Sequence, residues 1–300
     1  MERAWRAGGT KSARLGPAHD GVAAVLDKNM MEDHAAPVSV VIPCFRCATT
    51  IARAVASIAQ QTRKPAEVIL VDDVSGDGTL DILQALAQQH AGWIKVIALK
   101  KNLGAASARN AGWEAARQPY IAFLDADDTW HREKLHIQYE YMCGNPDVAV
   151  SGHQCIGLRN GKLQPDLPPH RGATKIGAVS LIFRNCFSTP TAMLKRNIPF
   201  RFSAGKRYAE DMYLWQQIAF SGLPVMRIES PLAYIHKAPY GEGGLSAQLW
   251  EMEKGELANF LALYRTGSIN LFLFFAASVF SAGKYCKRVI YTRINAVCLA

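Results

Sequence analysis

The sequence predicts an α/β fold with a mainly parallel sheet flanked by helices, on three observations. Four short apolar runs, at 38–43, 67–71, 94–99 and 120–124, have the length and composition of buried strands. The stretches between them, 50–61, 79–89 and 105–116, carry apolar residues at helical spacing, so strand and helix alternate as in consecutive βαβ units. Three of the four runs end in polar punctuation: Pro43-Cys44-Phe45-Arg46, Asp72-Asp73-Val74-Ser75-Gly76-Asp77-Gly78 and Asp125-Ala126-Asp127-Asp128. Sheets of this kind take their ligands at the carboxyl ends of the strands.

Beyond residue 130 the pattern loosens. Residues 148–164 read as a strand pair turning at Arg159-Asn160-Gly161, 176–183 and 210–220 as helices, and 224–228 with 232–236 as two short strands. No linker composition interrupts 37–245, which reads as one domain with a first half at 37–130 and a second at 131–245. The first 36 residues are Ala/Gly/Arg-rich without a period and read as a flexible arm. Residues 246–300 read as a basic helical tail. Its apolar stretch at 269–280, even with its flanks, falls short of the ~20 residues of a spanning helix. Lys284, Lys287, Arg288 and Arg293 follow with no acid among them. A helix lying on an anionic membrane surface would look like this, and so would one packed against the rest of the chain.

An apolar content of 49% and a charged content of 20% over 300 residues exclude a globally disordered chain. The net charge of +9 is compatible with nucleic acid, anionic membranes or phosphorylated ligands. Its basic residues are not interleaved with aromatics in a recognisable module, so no nucleic acid is expected as a partner. Seven cysteines, an odd number without repeating spacing, indicate a reducing, cytoplasmic setting, and the lone Cys44-Phe-Arg-Cys47 lacks the second pair of a zinc site. Lys195, Arg196, Arg201, Lys206 and Arg207 crowd the approach to Glu210-Asp211, which suits a phosphorylated or acidic acceptor as well as a solvated surface.

The chemistry sits at the strand ends. Asp125-Ala126-Asp127 follows Tyr120-Ile-Ala-Phe-Leu124 directly, which holds two carboxylates at the rim of a rigid sheet. Mg²⁺ or Mn²⁺ binds through one or two such carboxylates, with substrate phosphates and water completing its shell. At Asp72-Asp73 a carboxylate can accept hydrogen bonds from a base N–H or a ribose hydroxyl. Arg109, in Gly104-Ala-Ala-Ser-Ala-Arg-Asn-Ala-Gly112, lies on the helix leading into the DxD strand, and its guanidinium suits a carboxylate or a diphosphate. Glu210-Asp211 taken alone reads equally as two acids in the first turn of a helix, where the helix dipole favours them.

Val38-Ser-Val-Val-Ile-Pro43, Val71-Asp-Asp-Val-Ser-Gly-Asp-Gly-Thr79, Gly104–Gly112, Phe123-Leu-Asp-Ala-Asp-Asp128 and Tyr208-Ala-Glu-Asp-Met-Tyr-Leu-Trp215 occur in the order and at about the spacing of the family 2 glycosyltransferases. The resemblance covers roughly 37–245 and is strongest over 38–130. It implies a GT-A, Rossmann-like fold and a metal-dependent inverting transfer of one sugar from a nucleotide-sugar, expected to be UDP-linked, to a hydroxyl of a glycan or lipid-linked saccharide. By the same resemblance Pro43 and Phe45 line the base pocket, Asp73 recognises the base and Arg109 belongs to the nucleotide site. Asp125 and Asp127 form the DxD pair, with Asp127 the closer metal ligand and Asp125 nearer the ribose. Asp211 corresponds to the general base that a poorly nucleophilic sugar hydroxyl requires. His236 falls near a position where related enzymes carry a histidine close to phosphates or metal.

Three departures qualify the match. Phe45-Arg46 stands where the family often has Tyr-Asn, and Val74 where Gly or Ser is common. No Gln-x-x-Arg-Trp follows the expected base, which disfavours a processive synthase. Two alternatives stay open: a nucleotidyltransferase, although Pro43-Cys-Phe-Arg-Cys-Ala lacks the glycines of a phosphate loop, and a catalytically silent nucleotide-sugar-binding protein.

Overall fold

The computed structural model describes residues 35–158, 172–236 and 248–298. The expected arm lies outside these residues apart from its last two positions, as does the expected turn at Arg159-Asn160-Gly161. The first half alternates as the sequence predicts: β1 (Ala36–Cys44), α1 (Ile51–Ala59), β2 (Pro65–Asp72), α2 (Thr79–Gln89), β3 (Ile94–Ala98), α3 (Ala105–Ala115) and β4 (Tyr120–Phe123). These strands are ordered β3-β2-β1-β4 and pair in parallel, with β1 in the middle. Cys44 is level with Asp72, and Leu124 N–H donates to Val41 O just before Asp125. The register therefore brings all three polar strand ends to one rim.

The second half contributes β5 (Thr129–Trp130), α4 (Lys134–Gly144), β6 (Val150–Gly157), β7 (Ala173–Lys175), α5 (Ala178–Phe183), β8 (Met193–Lys195), α6 (Glu210–Phe220) and β9 (Val225–Ile235). They extend the sheet from β4 in the order β8-β6-β9-β5, with β7 on β9, so the sheet is parallel through its first half and mixed beyond. β6 pairs with β8 and β9, and the second strand expected after the Arg159-Asn160-Gly161 turn lies outside the described residues. One expectation is corrected here. The two short strands expected at 224–236 are one strand, whose pairing with β6 shifts register around Gln154, opposite Pro231. Proline cannot donate to the ladder, so it reads locally as a strand break and is accommodated at an irregularity instead.

Alternate residues of β1 feed the two sides of the sheet. Val38, Val40 and Ile42 pack with Ile51, Ile58, Leu83 and Leu135 under α1, α2 and α4. Val41 packs with Ala108, Trp113 and Trp215 under α3 and α6. The small residues of α3 let it lie close on the strands: a Cβ at Gly112 would stand 2.3 Å from Val41 Cγ1. One helical turn earlier on the same face, Arg109 is thereby carried over the rim.

The C-terminal stretch is helical, as α7 (Leu249–Arg265) and α8 (Leu271–Cys298). Both pack on the body of the domain through a third apolar cluster, in which Phe260, Leu263, Ile269 and Ala277 meet Ile182 and Met212. No helix of the described residues is long and apolar enough to cross a membrane.

One buried group works against stability. Lys134 is fully buried at the start of α4, its Nζ 3.7 Å from the centroid of the Trp130 ring and without a hydrogen-bond partner among the described residues. Burial holds its pKa well below the usual lysine range. The unfolded chain then takes up a proton that the folded one refuses, so the group costs more stability as pH falls below the unfolded value of about 10.4. Lys134→Met is expected to raise the unfolding free energy by about 1–3 kcal/mol at neutral pH. The gain should shrink toward pH 10 in urea titrations; a destabilised variant would show that the amine has a partner.

Candidate active site

The rim residues are held by local hydrogen bonds. Asp72 at the end of β2 accepts from the Ser75 hydroxyl at 2.5 Å, and Ser75 Oγ accepts from Arg46 N–H at 3.0 Å, which ties the loops after β1 and β2 together. Val74 between them takes φ 61°, a left-handed conformation that costs a β-branched residue about 1–3 kcal/mol. Glycine would take this conformation without strain, and serine with less than valine. Phe45 stands exposed beside it with the Arg46 guanidinium 5.2 Å from its ring centroid, and Pro43 is half-buried below.

Asp73 is buried, and its two carboxylate oxygens accept the backbone N–H groups of Leu103 and Gly104 at 2.8 and 2.7 Å. Its visible task is to hold the loop entering α3. Contact with a base would have to use the remaining lone pairs.

Arg109 is the hub. Its Nη2 donates to Asp125 Oδ1 at 2.9 Å and its Nη1 to Glu210 Oε1 at 2.7 Å, with the Phe202 ring centroid 5.4 Å from Cζ. Burial opposes its charge, but the two carboxylates overcome that and hold the guanidinium above its ordinary pKa. Three motifs far apart in sequence thus meet on one side chain. Of the two partners its guanidinium suits, a carboxylate or a diphosphate, the fold supplies two carboxylates.

Glu210 and Asp211 form the first turn of α6. Asp211 Oδ2 accepts from Thr189 Oγ1 at 3.2 Å and Oδ1 from Met212 N–H at 2.7 Å. Burial pushes the Asp211 carboxyl above the usual range, against the pull of Arg109 and of these two donors; burial raises Glu210 as well, again opposed by Arg109. A carboxylate raised toward neutrality while still hydrogen-bonded in its charged form suits proton abstraction.

The turn before α6 is braced from behind. Ala209 has φ 54°, and its carbonyl accepts from Nδ2 of the fully buried Asn259 at 2.9 Å. A Cβ at Gly255 would stand 2.7 Å from Tyr208 O, so α7 lies directly against the turn.

Asp127 occupies the turn after β4, where its carbonyl accepts from Arg53 Nη2 at 2.7 Å. His236, just after β9, shares a 2.9 Å hydrogen bond between Nε2 and Thr129 Oγ1, and its backbone N–H donates to Asp128 Oδ1 at 3.2 Å. Burial and then the charge of Arg53 hold its pKa below the ordinary imidazole range, while Asp127 pulls it upward. A neutral imidazole is the form that binds metal. Among the described residues no group of three or more His, Cys, Asp or Glu side chains is arranged to hold a metal ion. The two carboxylates of the DxD turn, Asp125 and Asp127, are the kind of oxygen donors that a cation uses when substrate phosphates and water complete its shell.

Of the five basic side chains expected at the approach to Glu210-Asp211, four find partners within the fold and Arg207 is exposed. Lys195 donates to Pro146 O, Arg196 to Ala116 O at 3.2 Å, and Lys206 to Gly255 O at 3.3 Å. Arg201 pairs with Glu114 and stacks on Trp113, so the run serves chiefly to close backbone ends. Arg53 and Thr189 had no sequence signal: each reaches the rim through a contact across 74 and 22 residues, respectively.

A parallel βα half carrying a DxD at its rim, joined to a mixed half that supplies a facing Glu-Asp pair, is the GT-A arrangement of glycosyltransferases. The chain belongs to glycosyltransferase family 2, whose model, "Glycosyl transferase family 2", matches residues 39–206. The amylovoran biosynthesis glycosyltransferase AmsB of Erwinia amylovora is 36% identical over 207 residues, 66% of this chain and 69% of that protein. WfaP of Escherichia coli, a UDP-Glc:alpha-D-GlcNAc-diphosphoundecaprenol beta-1,3-glucosyltransferase, is 39% identical over 107 residues, 35% of this chain and 41% of WfaP. With several curated relatives, WfaP among them, the match spans about two fifths of the relative's length. The mannosyltransferase PcManGT from Pyrobaculum calidifontis, solved with GDP-Man and Mn²⁺, superposes with a TM-score of 0.60 at 18% identity, covering 91% of this chain and 82% of that one. At that identity the likeness speaks for the fold.

Proposed function

We propose that the chain transfers a single sugar from a nucleotide-sugar to a hydroxyl of a glycan or lipid-linked saccharide, with inversion at the anomeric carbon. The observation that carries this reading is the Arg109 bridge, which ties the DxD turn to the Glu210-Asp211 turn. A donor diphosphate at the first and an acceptor hydroxyl at the second would then meet across a fixed gap.

In this reading Phe45 and Pro43 flank the base, Asp73 shapes and lines its pocket, and Asp125 faces the ribose. Asp211 takes the proton of the attacking hydroxyl, with Thr189 orienting the carboxylate. Asp127, with Asp125 and His236, would hold Mg²⁺ or Mn²⁺, which when bound offsets negative charge on the departing nucleoside diphosphate. WfaP's UDP-glucose and diphosphoundecaprenol-linked acceptor support a UDP-linked donor and a lipid-linked acceptor; the same reading sets the reaction in the cytoplasm, at the cytoplasmic face of a membrane.

A panel of UDP- and GDP-sugars with Mn²⁺, read by release of nucleoside diphosphate, tests the reading. One donor should be turned over, with activity lost on chelation and in Asp127→Ala. Turnover indifferent to both would refute the metal assignment, and a folded protein that binds donors without turning any over would favour the silent binding protein.

A further inference from the structure

We propose that the outward face of α8 rests on the surface of an anionic bilayer. Seven of the 13 large hydrophobic side chains exposed among the described residues lie on this one helix. Phe272, Phe275, Val279 and Ile290 are separated by 3, 4 and 11 residues, which keeps them on one line along a helix of 3.6 residues per turn. Phe272 is 81% exposed and Val279 72%. Large apolar side chains exposed along one line of a helix mark an interaction site.

The opposite face fixes which side is presented. Ser281 and Lys284 donate to Glu256 at 2.9 and 2.8 Å, and Arg288 donates to both Glu253 and Glu256 at 2.9 and 3.2 Å. Glu253 and Glu256 are buried on α7, so α8 is pinned by a charge network on its inner side and cannot roll its aromatics inward without breaking it. Two of the tail's cations, Lys284 and Arg288, are therefore internal and are not the basic face. Lys287 is exposed, next to the stripe.

Charge selects the occupant. No Asp or Glu occurs anywhere from 271 to 298. A second copy docked stripe to stripe offers the exposed Lys287 no acid on the facing helix, whereas anionic headgroups supply the opposite charge and the acyl boundary accepts the aromatics. At about 1.5 Å per residue the stripe from Phe272 to Ile290 would give a contact line of about 27 Å lying flat. This surface is independent of the transfer reaction proposed above.

Flotation of the full chain with phosphatidylcholine vesicles, with and without phosphatidylglycerol, tests it. The wild type should float with the anionic vesicles and be partly released by salt. Phe272→Ser/Phe275→Ser/Val279→Ser, all at solvent-exposed positions, should lower the bound fraction at least tenfold while leaving Tm unchanged. Lys287→Gln should weaken binding to anionic vesicles several-fold, and Lys284→Gln should leave it intact while lowering Tm. Equal flotation of the triple variant, or failure of the wild type to float with either vesicle, would overturn the proposal. So would a dimer in light scattering that the triple variant dissolves, which would assign the stripe to a second copy.

Discussion

Asp211→Asn is expected to reduce turnover by about 10²- to 10⁴-fold with donor affinity and Tm unchanged, because it removes the proton acceptor and keeps the shape. The pH profile offers a second readout. Burial raises the Asp211 carboxyl, so the rising acid limb of kcat should lie above the ordinary aspartate range. Thr189→Val removes a donor to the charged form and should move that limb further up. The sign follows from the base being active only when ionised: a higher pKa delays activity to higher pH. A variant at position 211 that keeps near-normal turnover would exclude it as the base, and a limb unmoved by Thr189→Val would exclude the coupling.

Arg109→Met should be among the most damaging single changes to stability, lowering the unfolding free energy by about 3–5 kcal/mol. Glu210 would be left buried without its cation, with Asp211 adjacent. The lower end of the range is expected, because the Asp125 side chain keeps 31% of its exposure and can be solvated. Arg109→Lys should rescue little, since an ammonium cannot span two carboxylates as the planar fork does. Adding Glu210→Gln to Arg109→Met should recover part of the loss in denaturant titrations. A single variant as stable as the wild type would mean that Glu210 is protonated or hydrated in the fold.

The buried face of α3 shows why Arg109 was visible in sequence while its role was not. Its motif and its helix are local and could be read directly. Its two carboxylate partners lie 16 and 101 residues away, and only the packing of α3 on the strands, allowed by Gly112, brings the guanidinium between them. The basic run at 195–207 is a second case. Charge density in sequence suits an acceptor or a solvated surface alike, and only the tertiary fold turns four of the five side chains onto carbonyls and Glu114 while leaving Arg207 exposed.

The tail makes the same point by charge. Lys284, Lys287 and Arg288 are equivalent in sequence, and only the buried glutamates of α7 divide them into inner and outer cations. Strand ends, the DxD turn and the acidic turn of α6 were determined by the sequence alone, because apolar runs, turn residues and helix starts are set by neighbours within a few positions. Which carboxylate pairs with which cation, the single long β9, the brace of α7 behind the Asp211 turn and the outward face of α8 were decided by tertiary structure. Those depend on contacts between distant segments, whose free energies exist only once burial has removed water from both partners.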